Sequence, residues 1–396
     1  MKIVIVGGGI GGLSAALTLA RDDHRITVLE RGGYDETTAA GIQLSPNATR
    51  LLERLGLGRA LARVATEPRA LRVREHLSGL TVAEVPLGAA ARARFGAPYL
   101  HLLRADLIGV LRAAIADHPG VDLKLNCPVR AVSQADAAAT AVTAGGEIGG
   151  DLLIGADGIR SRVRDSVVPG SEPQFSRMVG WRGLAPAAAV DAARGLDAAT
   201  LWPGPGAHLV HYPAGRWINV IGVVERDDWT DPSWRARGTT AALLRDFRGW
   251  HAQVRQLLDA IETPYQWALH ELTPLRHWHR GRIALLGDAC HAMLPFAAQG
   301  AAQAIEDAWV LADALRKNGR CDAALAAYAA TRRVRVERVQ AESRRRAGVY
   351  HRRSMTRKLL DLAPGGTAAA VADGWSGDPY RWLYGYDAAV PTGTSA

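Results

Sequence analysis

The sequence predicts an α/β chain: a mostly parallel, helix-covered sheet domain carries an inserted domain built on a mostly antiparallel β-sheet, and C-terminal helices follow. Three stretches predict it. KIVIVGGGIGGLSAALTLAR opens the chain as a β-branched strand, a glycine turn and a small-residue helix, and RITVLER follows as a second strand. AHLVHYPAGRWINVIGVVE, residues 207–225, reads as two strands around a Pro-Ala-Gly turn. Asp322 to Tyr350 reads as one long helix. On this reading the first domain takes residues 1–70, 98–170 and 271–320, the inserted domain 71–97 and 171–270, and the C-terminal helical region 321–396. The 396 residues suffice for two or three such units, and 48% hydrophobic with 22% charged residues is ordinary for a soluble enzyme.

Taken in order, the run from Ile3 to Ala20 carries no charge and is long enough to imitate a membrane span or a secretory signal. The glycines from Gly7 to Gly12 are poor residues for a helix centre and no cleavage pattern follows, so neither is expected. Strand, glycine turn, helix, strand and acid together make the Rossmann-type dinucleotide fingerprint, with Gly7, Gly9 and Gly12 in the G-x-G-x-x-G places. The helix start offers free N–H groups to a pyrophosphate, and Glu30 is placed to accept hydrogen bonds from a ribose. This alone does not separate FAD from NAD.

VREHLSGLTVAEVPL, residues 73–87, supplies another strand pair for the inserted domain. HLLRADLIGVLRAAI is an amphipathic helix opening at Arg104, which either meets a phosphate or is a surface arginine. GGDLLIGADGIRSRVRD is a buried strand, an Asp157-Gly158 turn and a short helix, a common arrangement that says little by itself. GRIALLG ends a strand at Gly287, so Asp288 stands at the C-terminal edge of the sheet, where open α/β sheets bind ligands. Gln299-Gly300 then leads into a helix with Ile305, Ala308, Trp309, Ala312 and Leu315 on its buried stripe, closed by Asn318-Gly319. The C-terminal region is expected to dock through Trp382, Tyr384 and Tyr386, and ARGTTA (236–241) and PTGTSA (391–396) are candidate loose segments.

The net charge is +9, with Lys only at 2, 124, 317 and 358. The densest run, Arg332, Arg333, Arg335, Arg338 and Arg344 to Arg346, is expected on a solvated helix face, and no nucleic-acid or membrane partner is expected. Cys127, Cys290 and Cys321 lie far apart without a CxxC, which suits a reducing cytoplasm. Adjacent Cys290-His291 lacks a usual zinc spacing and two further ligands, so no metal site is expected; packing or hydrogen bonding beside a cofactor is the reading preferred over a nucleophilic cysteine.

Taken together, the GxGxxG turn, GADGIRSRVR and GDACHAMLPFAAQGAAQAIEDA resemble the group A flavoprotein aromatic hydroxylases over nearly the whole chain. RADL, the HYP of AHLVHYPAG and the closing WLYGYDA resemble the branch of salicylate hydroxylase, 3-hydroxybenzoate 6-hydroxylase and 6-hydroxynicotinate 3-monooxygenase. WRGLAP resembles the family's strand start without the two-Trp pattern of flavin halogenases, and no extra domain of the larger phenol hydroxylases is expected after WLYGYDA. The resemblance implies FAD as cofactor, NADH or NADPH as co-substrate, and hydroxylation by O2 of a small phenolic or hydroxypyridine-type aromatic through a flavin C4a-hydroperoxide. It implies FAD contacts from Gly7, Gly9, Gly11, Gly12, Glu30, Arg31, Gln43, Arg104, Asp157, Asp288, Pro295, Gly300 and Ala301, with Asp288 on the ribityl chain. It implies a catalytic pair, His208 and Tyr212, which strand alternation puts on one face; His211 points the other way and competes only if the register slips by one. Ordinary strand aromatics remain the alternative for this pair. A monomer or homodimer is expected. Two other functions compete: epoxidation or reduction of an apolar isoprenoid by the same fold, and flavin binding without turnover.

Overall fold

The computed structural model describes residues 1–34, 40–116, 118–135, 138–190, 196–229, 236–318, 321–353 and 380–390. The opening run is a strand, Lys2–Val6, and a helix, Ile10–Ala20, as its glycine turn requires. At Gly7 the backbone has φ +107°, and a Cβ there would lie 2.3 Å from the Ala156 carbonyl oxygen, so only glycine passes. Lys2–Val6 is central in a six-stranded sheet ordered His279–Arg280, Ile283–Leu285, Leu152–Gly155, Lys2–Val6, Arg25–Leu29, Val121–Lys124. All its pairings are parallel except that of the edge strand His279–Arg280. The central strands are apolar without alternation, because helices cover the sheet: Ile3, Ile5, Leu153, Ile154, Ala284 and Leu285 are all buried. The three segments 7–9, 156–158 and 286–288, which leave the C-terminal ends of adjacent parallel strands, are thereby brought side by side.

A second sheet of eight strands runs Ala236–Arg237, Tyr265–Glu271, Gln174–Pro186, Trp217–Glu225, Ala207–Ala214, Ala198–Gly204, Ala70–Arg74, Thr81–Pro86. Only the join of Ala198–Gly204 to Ala70–Arg74 is parallel. One face packs Trp181, Trp202, Leu209 and Val220 against Leu243, Phe247, Val254 and Leu257 of the helices Thr240–Asp246 and Ala252–Asp259. The other face carries Val73, Leu201 and Val223 toward Leu294, Phe296, Val349 and Tyr350.

The hairpin differs from its expected turn. Ala214 pairs with Trp217, so the turn is Gly215-Arg216, with Gly215 at φ +61°, and Pro213 lies inside the strand. ARGTTA is not loose either: Ala236 and Arg237 form the edge strand, and Thr239 caps the next helix by accepting the Ala242 N–H at 3.1 Å. The long helix is Cys321–Tyr350. Gly319 and the tail PTGTSA lie outside the described residues. Among the described residues no helix is long and apolar enough to cross a membrane, and all three cysteines are free thiols.

Candidate active site

The two sheets and the long helix enclose a cavity of about 590 Å³. Its dinucleotide-like end is built from the parallel-strand ends and two helix N-termini. Gly9, Gly11, Gln43, Arg104, Asp288, Pro295, Gly300 and Ala301 all contribute to its wall. Gly9 is the residue before the helix Ile10–Ala20 and Gln299 the residue before Gly300–Lys317, and neither helix has an acidic residue in its first turn. Both positive dipole ends therefore meet the cavity uncompensated, which favours an anion or an electron-rich oxygen. Asp288 is exposed to it, and a Cβ on Gly9 would approach Arg104 Nη2 at 4.0 Å. This donor set fits FAD: amide N–H groups and a guanidinium for a pyrophosphate, a carboxylate for hydroxyls, a helix start for a pyrimidine oxygen.

Gly7, Gly12, Glu30, Arg31 and Asp157 are not part of the cavity wall. Gly7 and Gly12 shape the turn behind it. Glu30 accepts the Gly8 N–H at 2.7 Å and the Gly32 N–H at 2.9 Å, and Tyr34 donates its hydroxyl to the Gly8 carbonyl. Arg31 is exposed. Asp157 closes its own turn, accepting from Ser161 Oγ at 2.5 Å, Arg162 N at 2.8 Å and Val163 N at 3.2 Å. Burial raises its pKa and those hydrogen bonds oppose the rise.

The Cys290-His291 pair lies away from the cavity. Cys290 is fully buried, and burial pushes its thiol up, so it is no thiolate nucleophile. His291 Nε2 stands 2.6 Å from Asp307 Oδ2, which also accepts the Gly287 N–H at 3.0 Å. Burial alone would raise the Asp307 pKa, but His291 and Arg332 hold it at about 2. Among the described residues no cluster of His, Cys, Asp and Glu is arranged to hold a metal ion. Arg332, expected in solvent, is instead fully buried and bonds Asp307 at 2.7 Å, Glu306 at 2.5 Å and Gln303 at 2.7 Å. The arginine run is thus partly internal, because Gly300–Lys317 turns its own carboxylates toward the long helix.

At the other end of the cavity, the strand Ala207–Ala214 sends His208, Val210 and Tyr212 to the wall, while Leu209 packs in the opposite core. His211 faces that opposite side, near Trp202, where burial and the charges of Arg74 and Arg72 lower its pKa to about 3. Burial raises the Tyr212 pKa, and its ring lies 4.6 Å from that of His101. His208 rests 5.1 Å from the Phe296 ring and 5.2 Å from the Tyr350 ring. Its Nδ1 is 2.7 Å from Nε2 of His351.

Sequence reading missed several wall residues at this end. Glu342, Arg345, Arg346, Val349 and Tyr350 come from the last turns of the long helix, and Tyr380 and Tyr384 from the segment beyond it. Glu342 bonds Arg345 and Arg346, each at 2.7 Å. Burial works against its ionisation, but the two guanidinium groups hold its pKa at about 2. Two cations share one anion, so one positive charge is left over at this wall. The available signal was the i, i+4 spacing of Glu342, Arg346 and Tyr350, which puts them on one helix face.

Residues 1–343 match the family model described as an FAD binding domain. The chain is 36% identical to 3-amino-4-hydroxybenzoate 2-monooxygenase from Streptomyces platensis, covering 99% of this chain and 98% of that one. It is 34% identical to 3-hydroxybenzoate 6-hydroxylase from Klebsiella oxytoca, covering 98% and 97%. The solved structure of a salicylate hydroxylase substrate complex superposes with a TM-score of 0.81 at 27% identity, covering 98% of this chain and 96% of that one. With its parallel-sheet domain, inserted antiparallel sheet and shared cavity, the chain belongs to the FAD-binding-domain family, among the flavoprotein aromatic hydroxylases.

Proposed function

We propose that this FAD-dependent monooxygenase hydroxylates a small phenolic or hydroxypyridine-type aromatic acid, using NADH or NADPH and O2. One observation carries the reading: His208 and Tyr212 face the same cavity as Asp288, Pro295 and the start of the Gly300–Lys317 helix. FAD, when bound and reduced, supplies the activation of O2. Its proposed contacts are Gly9, Gly11, Gln43, Arg104, Asp288, Pro295, Gly300 and Ala301, with Gly7 and Gly12 shaping the turn, and Glu30, Arg31 and Asp157 in supporting places. The division into cofactor, substrate and C-terminal units follows the two sheets and the long helix.

The chain's own residues then have three tasks. A phenol with a pKa near ~10 is mostly neutral at pH 7, so a base must take its proton to make the ring electron-rich. His208 is that base, with Tyr212 holding the substrate oxygen. Pro295, Phe296 and Val349 keep water out. The surplus positive charge among Glu342, Arg345 and Arg346 holds a carboxylate at the other end of the ring. A purely hydrocarbon substrate would gain nothing from the surplus charge and would strip water from the partly buried Arg346, which is costly. The proposed setting is the cytoplasm, as a monomer or homodimer, in keeping with the free cysteines.

Substrate-stimulated oxidation of NADH and NADPH, screened over hydroxybenzoates and hydroxypyridine carboxylates with product identified by mass, tests the proposal. The expected result is stimulation with a 16-mass-unit gain for at least one acid, the mass of a single oxygen atom. Stimulation by none of them, with FAD bound, overturns it.

A further inference from the structure

His208 does not end at the cavity. Its Nδ1 is 2.7 Å from Nε2 of His351, and Nδ1 of His351 is 3.2 Å from Oε1 of Glu225. Exposure rises along this line: His208 is 2% exposed, the His351 side chain 4% and the Glu225 side chain 61%. The line therefore joins the buried wall to solvent through the two strands of one hairpin and the end of the long helix, which is distant in sequence. Each member is held independently. His208 pairs with Val223 in the sheet, and Glu225 donates its N–H to the Gly206 carbonyl at 2.9 Å. The His351 carbonyl accepts the Gly206 N–H at 3.0 Å, and its own N–H reaches Ala347 at 3.2 Å.

We propose that His351 and Glu225 are positioning and relay residues that carry the substrate's phenolic proton from His208 to solvent and return it to the product. This rests on the reading of His208 as the base. The hydrogen-bond order dictates the tautomers. Ionised Glu225 accepts Nδ1–H of His351, which puts the lone pair of His351 on Nε2. That lone pair accepts Nδ1–H of His208, so the basic lone pair of His208 is on Nε2. When the substrate binds, its O–H bond breaks and an Nε2–H bond forms on His208. The His208 Nδ1–H bond breaks as Nε2–H forms on His351; the His351 Nδ1–H bond breaks as an O–H bond forms on Glu225, which releases the proton to water. The net change is one phenolate in the cavity and one proton in solvent. Passing a proton back along the same line to the product oxygen restores both tautomers.

Other titratable groups face this line. Tyr350 of the long helix and Tyr212 of the strand flank His208, and Glu342, Arg345 and Arg346 lie beyond Tyr350. Burial raises the Tyr350 pKa, against the lowering effect of Arg346, so neutral Tyr350 adds no charge near pH 7. Arg352 and Arg353 follow His351 on the exposed side.

The test uses FAD-loaded enzyme mixed in a stopped-flow instrument with 4-hydroxy-3-nitrobenzoate, a hydroxybenzoate whose phenolate absorbs visible light, over a range of pH. In the wild type, phenolate should form as a proton is released. In His351→Ala it should form roughly tenfold or more slowly below neutral pH, at unchanged probe affinity, with recovery on raising the pH or adding imidazole. Glu225→Gln, at an exposed position that leaves folding intact, should show a smaller slowing with the same pH recovery. Variants that ionise the probe at the wild-type rate, or slowing that ignores pH and imidazole, overturn the relay. A wild type that fails to bind or ionise the probe overturns the phenol-base reading beneath it.

Discussion

Asp288 and Cys290 are two residues apart in one short stretch, yet their surroundings are opposite. Asp288 is exposed to the cavity wall, whereas Cys290 is fully buried with its thiol pushed up. Asp288→Ala should therefore weaken FAD by roughly tenfold to a hundredfold, the loss of one charged acceptor. Cys290→Ser should leave the FAD dissociation constant within about twofold of the wild type, because it alters one atom in a packed core. Flavin fluorescence titration measures both, and equal losses would show that the stretch had been misread. His101 and His211 make a second pair of residue-scale forecasts. Burial lowers each pKa to about 3, so both stay neutral when folded and take up protons near pH 6.5 when unfolded. Below pH 6.5 the unfolded state binds the extra protons, so stability falls as pH falls and levels off only near pH 3. Urea unfolding at pH 7.5 and 5.5 should differ by about 3 kcal/mol from these two residues. His211→Phe should remove about half of that difference while FAD affinity stays at the wild-type value.

At the scale of the element, the strand Ala207–Ala214 was legible because alternation is a hard geometric rule. Once HLVHY is a strand, His208 and Tyr212 share a face and His211 does not. The strands and helix of the opening fingerprint were legible for another reason: the glycine turn between a β-branched run and a small-residue run marks the change from strand to helix. The long helix Cys321–Tyr350 was legible in extent but not in orientation. Its arginines recur too often to mark one face, and the carboxylates that bury Arg332 lie on another helix, 25 and 26 residues earlier in the chain. The His351 link was illegible too, since no local pattern joins a helix end to a strand 126 residues before it. The consequence is measurable. Arg332→Ala takes away the buried cation that Glu306 and Asp307 share, leaving them Arg335 and His291, and urea unfolding should show a loss of about 3 kcal/mol. Arg333→Ala, whose side chain is 46% exposed, should change stability by less than about 0.5 kcal/mol.

On the scale of the whole molecule, the cavity exists only because three units meet. The parallel sheet contributes strand-end loops, the eight-stranded sheet contributes His208 and Tyr212, and the long helix contributes Glu342, Arg345 and Arg346. On the proposed reading, the helix is the unit that would distinguish acids from neutral phenols. Arg346 is 13% exposed and bonds Glu342 at 2.7 Å, while Arg345, on the same carboxylate, is 58% exposed and largely hydrated. Arg346 is therefore the partly desolvated cation to which a substrate carboxylate gains most. It stands one helical turn, about 6 Å, before Tyr350, whose ring touches His208. That separation suits a benzene ring with its carboxylate at one end and its hydroxyl at the other. Arg346→Met keeps much of the side chain's length but no charge. It should raise KM for an aromatic acid by roughly tenfold to a hundredfold and leave KM for the matching carboxamide almost unchanged. The ratio of the two KM values isolates the charge term from any repacking, which would affect acid and amide alike. If the ratio does not move, the carboxylate is held elsewhere and the helix merely closes the cavity.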